Sequence, residues 1–217
     1  MRSAWTALLG LLSLVSSAPR AAAASTADPY LDALAVGVQR AEQGQFDAAS
    51  REFQAAARLD CDDALAYVGQ ALCELADGQL NQAAALFRCA AGTHRADAVA
   101  AAGLGVCQLE VGALGPATAY FDKAAQSDPL LVAPAFYRAV IELAGDRLDE
   151  APGYLDRARQ LGAPEPLLDY LEALRLLAAG RLEASAERLR RLRPKLNAPL
   201  PGLPTVLPLR NEPRDGG

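Results

Sequence analysis

The feature that most constrains this chain is a period. Gly44, Gly78, Gly112 and Gly180 are separated by one or two steps of 34 residues, and the remaining slot holds Asp146 with Gly145 beside it. Two positions after each slot stand Phe46, Leu80, Leu114, Leu148 and Leu182; five after, Ala49, Ala83, Ala117, Ala151 and Ser185. Nine after stand Phe53, Phe87, Phe121, Leu155 and Leu189; twelve after, Ala56, Ala90, Ala124, Ala158 and Leu192. Five copies in one register mean one structural unit used repeatedly. Each unit is too small to bury its own apolar face and must bury it on a neighbour.

Within a unit, the residues after the glycine are apolar at i, i+3, i+7 and i+10, which is one stripe of an α-helix. Composition agrees. The chain is 52% hydrophobic but only 6% aromatic, and its Ala and Leu tracts are strong helix formers. Alternating β-branched runs are scarce, so a sandwich or barrel is not expected. Asp28-Pro29, Gly115-Pro116 and Glu165-Pro166 place proline at or near first helical positions, where its missing N–H costs nothing. Asp149 precedes another helix and fits an N-cap.

The glycine followed by Phe/Leu, Ala, Phe/Leu and Ala at helical spacing resembles the tetratricopeptide repeat (TPR) family. The third copy is closest: Gly112, Leu114, Ala117, Phe121, Ala124, Asp128, Pro129. The resemblance implies an all-α protein, a right-handed α-solenoid of about five helical hairpins. It covers residues 30–199, divided as 30–63, 64–97, 98–131, 132–165 and 166–199. The proline that ends a unit in that family is present only as Pro129; Cys61, Arg95, Ala163 and Asn197 take the other slots. The Lys, Asn and Arg clamp of co-chaperone TPR domains is absent, since the aligned positions hold Leu34, Val38, Gly69, Val99 and Gly103.

The first helix of each unit leaves two registers open. A gap-free alignment puts its core at the fourth, seventh, eighth and eleventh places. These hold Tyr67, Gln70, Ala71 and Glu74 in the second copy, and Ala135, Arg138, Ala139 and Glu142 in the fourth. The apolar stripe lies two residues earlier and includes Leu34, Val38, Leu72, Val106, Val140 and Leu174. In the gap-free register that stripe lines the concave groove, a large apolar patch of the kind soluble proteins avoid unless it is covered. Burial therefore favours a two-residue slide, with the stripe inside the hairpins. Small residues at the eighth place of every copy (Gly37, Ala71, Gly105, Ala139, Ala173) argue for the gap-free register instead. With the slide, the concave face is polar and its binding residues include Asp32, Arg40, Tyr67, Gln70, Glu74, Gln108, Arg138 and Glu142.

The flanks differ from the array. Residues 1–24 read as a signal peptide: Arg2, then an uncharged Leu-rich run from Ala4 to Ala18, then Ala22-Ala23-Ala24 as an A-x-A cleavage site. The run is shorter than the ~20 apolar residues that span a bilayer. Export to the periplasm or medium is expected, with no stable membrane insertion after cleavage. Residues 25–29 form a short lead-in. Six prolines follow from Pro194 onward, so 200–217 is expected to be a Pro-rich, disordered tail. The sharper alternative docks Leu200, Leu203, Val206 and Leu207 on the array, on its last helix or in its groove.

Chemistry is sparse. Cys61, Cys73, Cys89 and Cys107 lack the C-x-x-C spacing of a zinc site. In an oxidising compartment an even cysteine number allows disulfides, and Cys89 with Cys107 is the best geometric pair. His94 is the only histidine. Asp60, Asp62 and Asp63 answer a helix dipole. No phosphate loop or nucleophile elbow is present, and the net charge of −5 speaks against nucleic acid. The expectation is a non-enzymatic interaction module or scaffold in the cell envelope, with no cofactor and no metal, holding a peptide or partner protein on its concave face. The alternative is a self-assembling structural element of an envelope complex.

Overall fold

A computed structural model describes residues 28–61, 64–91 and 96–192. The leader expected over 1–24, His94, Asp62, Asp63 and the tail from 193 onward lie outside the described residues. Those described form ten helices and no strand. The helices are α1 (Pro29–Glu42), α2 (Phe46–Leu59), α3 (Ala64–Ala76), α4 (Leu80–Ala90), α5 (Asp97–Glu110), α6 (Leu114–Ser127), α7 (Val132–Ala144), α8 (Ala151–Gln160), α9 (Glu165–Ala178) and α10 (Leu182–Leu192). They pair as five antiparallel hairpins, and each following first helix packs on the second helix before it. Successive first helices (α1, α3, α5, α7, α9) also touch one another, whereas no comparable contact joins successive second helices. The first helices are therefore the inner, tighter layer of an α-solenoid.

The periodic glycine has a conformational cause. Every hairpin turn closes with the same backbone bond, from Gln45 N–H to the Arg40 carbonyl (2.9 Å), Gln79 to Glu74 (2.8 Å), Ala113 to Gln108 (2.9 Å), Arg147 to Glu142 (2.8 Å) and Arg181 to Leu176 (2.8 Å). This six-to-one bond is the Schellman closure, which needs one left-handed residue just past the helix. Gly112 supplies it at φ 78°; in the fourth hairpin Asp146 adopts φ 59°. The expected turn at Gly145 forms, but the left-handed residue is the one in the periodic slot. An L side chain pays about 1 kcal/mol or more in this region. Asp146→Gly is therefore expected to raise stability by about 0.5–1 kcal/mol, read as a shift of the urea midpoint at constant slope. A loss of stability would contradict this reading of the slot.

Helix starts follow local chemistry less closely. Asp28 caps α1, accepting from the Tyr30 N–H at 3.0 Å. Asp149 does not cap α8: the helix starts at Ala151, after Glu150, and no side chain caps it.

The register of the first helices is gap-free, which corrects the expected slide. Counting places from residues 30, 64, 98, 132 and 166, the eighth place faces the phenylalanine of its own unit. A Cβ on Gly37 would lie 2.8 Å from the Phe53 ring, and one on Gly105 would lie 2.9 Å from Phe121. The sixth place faces the phenylalanine of the preceding unit: a Cβ on Gly69 would lie 2.6 Å from Phe53, and on Gly103 2.4 Å from Phe87. In the fourth unit the sixth place is Tyr137, whose ring stacks on Phe121 at 5.1 Å and 10°. Each large ring thus fills the joint between consecutive hairpins, and small residues on both sides make room for it. Phe53, Phe87 and Phe121 are fully buried.

Candidate functional site

The first helices present two faces, one largely polar and one apolar. One carries the fourth, seventh and eleventh places, and it points into the wedge between its own and the preceding second helix. Arg40 pairs with Glu52 of α2 at 3.4 Å. Glu74 accepts from the Ser50 hydroxyl of α2 at 3.2 Å. Arg138 donates to the Tyr154 hydroxyl of α8 at 2.7 Å and lies 3.8 Å from Asp122 of α6. Asp169 pairs with Arg188 of α10 at 2.6 Å. Tyr67, Gln70 and Gln108 are half-buried on the same face, and Asp32 is exposed at the N-terminal end. The expected polar residues therefore do come together by helical phase. Of these, Arg40, Glu74 and Arg138 tie first helices to second helices.

Glu142 departs furthest from expectation. The slid register makes it accessible, yet it is 1% exposed. Arg138 lies 3.4 Å from one carboxylate oxygen, and the Arg147 Nε donates to the other. Burial works against the charge of Arg138, but the Tyr154 hydroxyl, Asp122 and Glu142 hold its guanidinium protonated. The same guanidinium sits 4.9 Å from the Tyr154 ring centroid, a cation–π contact. This cluster staples α6, α7 and α8. Arg138→Ala is accordingly expected to destabilise the fold by ~1–3 kcal/mol, because a buried carboxylate loses a charged donor. Thermal unfolding measures it, and an unchanged midpoint would remove the staple.

The other face carries the second, fifth, ninth and twelfth places. These positions are apolar in all five units, from Leu31, Leu34 and Val38 in α1 to Tyr170, Leu174 and Leu177 in α9. In the central units the stripe is closed: Val68, Leu72, Val106, Leu109, Phe136 and Val140 are all buried. The reason is local. Ala100, Ala101, Ala102, Gly103 and Gly105 make α5 thin, and α3, α4, α6 and α7 all pack on it. Toward the ends the stripe opens. Leu34, Val38, Leu65, Tyr170 and Leu174 are half-buried, and Leu31 and Leu177 are 58% and 38% exposed. The large apolar patch that this register entails is thus split by close helix packing, leaving two apolar flanks. Sequence reasoning places Leu34 and Leu174 inside the hairpins; their true place on the inner layer is readable from the small sixth and eighth places.

A concavity of 530 Å³ lies elsewhere, beside the first turn, lined by residues that include Asp47, Arg51 and Asp77. Burial, then Asp47, raises the Asp77 carboxyl above its usual range. Among the described residues, no group of three His, Cys, Asp or Glu is placed to hold a metal ion. No helix among them is long and apolar enough to cross a membrane.

Cys89 and Cys107, the best geometric pair for a disulfide, are not bridged. All four cysteines are thiols, with Cys89 exposed on α4 and Cys107 buried on α5. Burial pushes the Cys107 thiol up to about 12 and raises Cys73 further. The thiolate is the reactive form. A thiol reagent at pH 8 is therefore expected to modify Cys61 and Cys89 rapidly, and Cys73 and Cys107 only after unfolding. Four equally fast thiols would contradict this burial pattern.

No family model matches the chain, and no curated protein is significantly similar to it in sequence. Solved structures resemble it in fold. A thermophilic TPR protein of Thermus thermophilus, TTC0263, superposes with a TM-score of 0.68 at 20% identity, covering 79% of this chain and 93% of that one. The hetero-tetramer Cut9–Hcn1 of APC/C gives 0.67 at 17% identity, over 86% of this chain and 35% of that one. A TPR protein of Parabacteroides merdae ATCC 43184 gives 0.57 at 13% identity, over 78% and 67%. At such identities the likeness establishes the fold, and the fold is that of tetratricopeptide repeats.

Proposed function

We propose that this protein is a non-enzymatic interaction module that holds an apolar or amphipathic peptide or helix of a partner protein against the inner face of its first helices. The observation that carries the reading is the apolar stripe at the second, fifth, ninth and twelfth places of every unit. Its two flanks, around Leu34 and Leu174, remain accessible. An amphipathic segment laying apolar side chains on such a surface is a recurrent mode of peptide recognition. The TPR fold supports an interaction role; of the similar structures, Cut9–Hcn1 is itself a hetero-tetramer. Location in the cell envelope belongs to the same proposal and rests on Arg2, the uncharged leader and Ala22–Ala24.

Photo-cross-linking in the producing cells tests it. A photoreactive residue replaces Leu34, Leu174 or, as a control on the outer surface, Gln126 of α6. The expected result is a discrete adduct from Leu34 and Leu174 that Gln126 does not give, and that Leu177→Asp weakens. Equal labelling at all three positions, or none at the inner two, would contradict the reading.

A further inference from the structure

The two ends of the array carry the unmatched halves of its own internal joint. In the first four units the residue nine places after the turn slot is sealed by the next hairpin: Phe53, Phe87 and Phe121 are 0% exposed and Leu155 is 3%. In the fifth unit its counterpart, Leu189, is 37% exposed, and Leu182 is 63% exposed. The receiving half shows the mirror of this. The sixth place is buried at Gly69, Gly103, Tyr137 and Leu171, yet exposed at Ala35 of α1, next to Val36 at 37%. Leu189 against Ala35 repeats the large-against-small pairing of Phe87 with Gly103.

The charges of the two ends are also opposite. Arg181 and α10 together carry four arginines against two glutamates, and Arg190 and Arg191 both lean on the single Glu187. Asp28 and α1 carry three acids against one arginine, with Asp28 and Asp32 exposed. An interface between unlike patches is heterologous: each copy uses its C-terminal end on one neighbour and its N-terminal end on the other, so the assembly grows unless it closes into a ring.

We infer that the occupant of these ends is a second copy of this chain, stacked head to tail so that α1 of one copy continues the solenoid after α10 of the other.

Sedimentation velocity on the purified full chain tests this with two variants, Ala35→Arg and Leu189→Arg. Each places an unpaired charge in one half of the joint and leaves the other half intact; both sites are exposed, so circular dichroism should show unchanged helix. Wild type is expected to gain mass with concentration from about 1 µM to about 1 mM, less so at high salt because screening weakens attraction between unlike ends. Each variant alone should be monomeric. Mixed in equal amounts they should form a one-to-one dimer and nothing larger, because one wild-type half of each kind remains. Three results would overturn the inference: a wild-type monomer throughout, association that survives either substitution, or a mixture that stays monomeric.

Discussion

Phe121→Ala is expected to lower the free energy of unfolding by about 3–5 kcal/mol, the range for truncating a buried aromatic ring. The ring is fully buried and stacks on Tyr137 of the next hairpin. It also fills the space over Gly105 of its own hairpin. One substitution therefore opens a cavity shared by α5, α6 and α7. In a repeat array, stability is close to a sum of unit and neighbour-interface terms, so damage at a central joint also uncouples the two halves. Urea unfolding should show both a lower midpoint and a loss of cooperativity. The control is Leu189→Ala, the same place in the last unit. It is already 37% exposed, so its truncation should cost well under half as much. Equal costs at the two positions would mean that the joint does not bury Phe121 as described.

Gly103→Val is the second large effect. The sixth place of the third unit has no room for a side chain, since a Cβ would lie 2.4 Å from the Phe87 ring. The ring cannot rotate away, because it is 0% exposed. Overpacking of this kind typically costs 1–3 kcal/mol, and a branched side chain against an immobile ring should reach about 3 kcal/mol. Phe87→Leu in the same chain should recover part of the loss, because the smaller side chain vacates the space the valine needs. A double variant no more stable than the sum of the two single changes predicts would show that the two positions do not meet.

Much of this architecture is legible in the residues. The period, the hairpin turns and the face of the second helices follow from Gly44 to Gly180 and from the Phe, Ala and Leu positions behind them. The register of the first helices is harder to read, because α5 is apolar nearly all round and either face could be taken for the core. Two considerations compete there. Polar residues at Gln70, Glu74, Arg138 and Glu142 look unfit for a packed wedge, and an apolar groove looks unfit for water. Both difficulties are solved by longer-range contacts. Arg138 and Glu142 are paired with Tyr154, Asp122 and Arg147 from neighbouring elements, and small residues on α5 let its neighbours close the groove at its centre. A signal for the first solution was present in Arg147, five residues after Glu142. The decisive signal was steric. Gly69 and Gly103 at the sixth place, with Gly37 and Gly105 at the eighth, have no reason to be glycine in the middle of helices unless a large ring lies on them, since glycine there costs about 1 kcal/mol relative to alanine.

The same contacts decide which surface is left for a partner. Polar side chains engaged between helices have little freedom to bind anything else, which is why the proposed partner surface is the pair of apolar flanks of the inner layer. The register decides which face of the first helices is the inner one, and a nuclear Overhauser experiment on a sample labelled selectively at glycine and phenylalanine tests it directly. The register predicts four sets of cross-peaks between glycine Hα and phenylalanine ring protons: Gly37 and Gly69 to Phe53, Gly103 to Phe87, and Gly105 to Phe121. Ring currents should also displace these four glycine resonances from those of the turn glycines. If the four are absent, with Gly103 and Gly105 at ordinary helical shifts free of ring-current displacement, the first helices are slid. The inner face is then polar, and the partner surface proposed here is the wrong one.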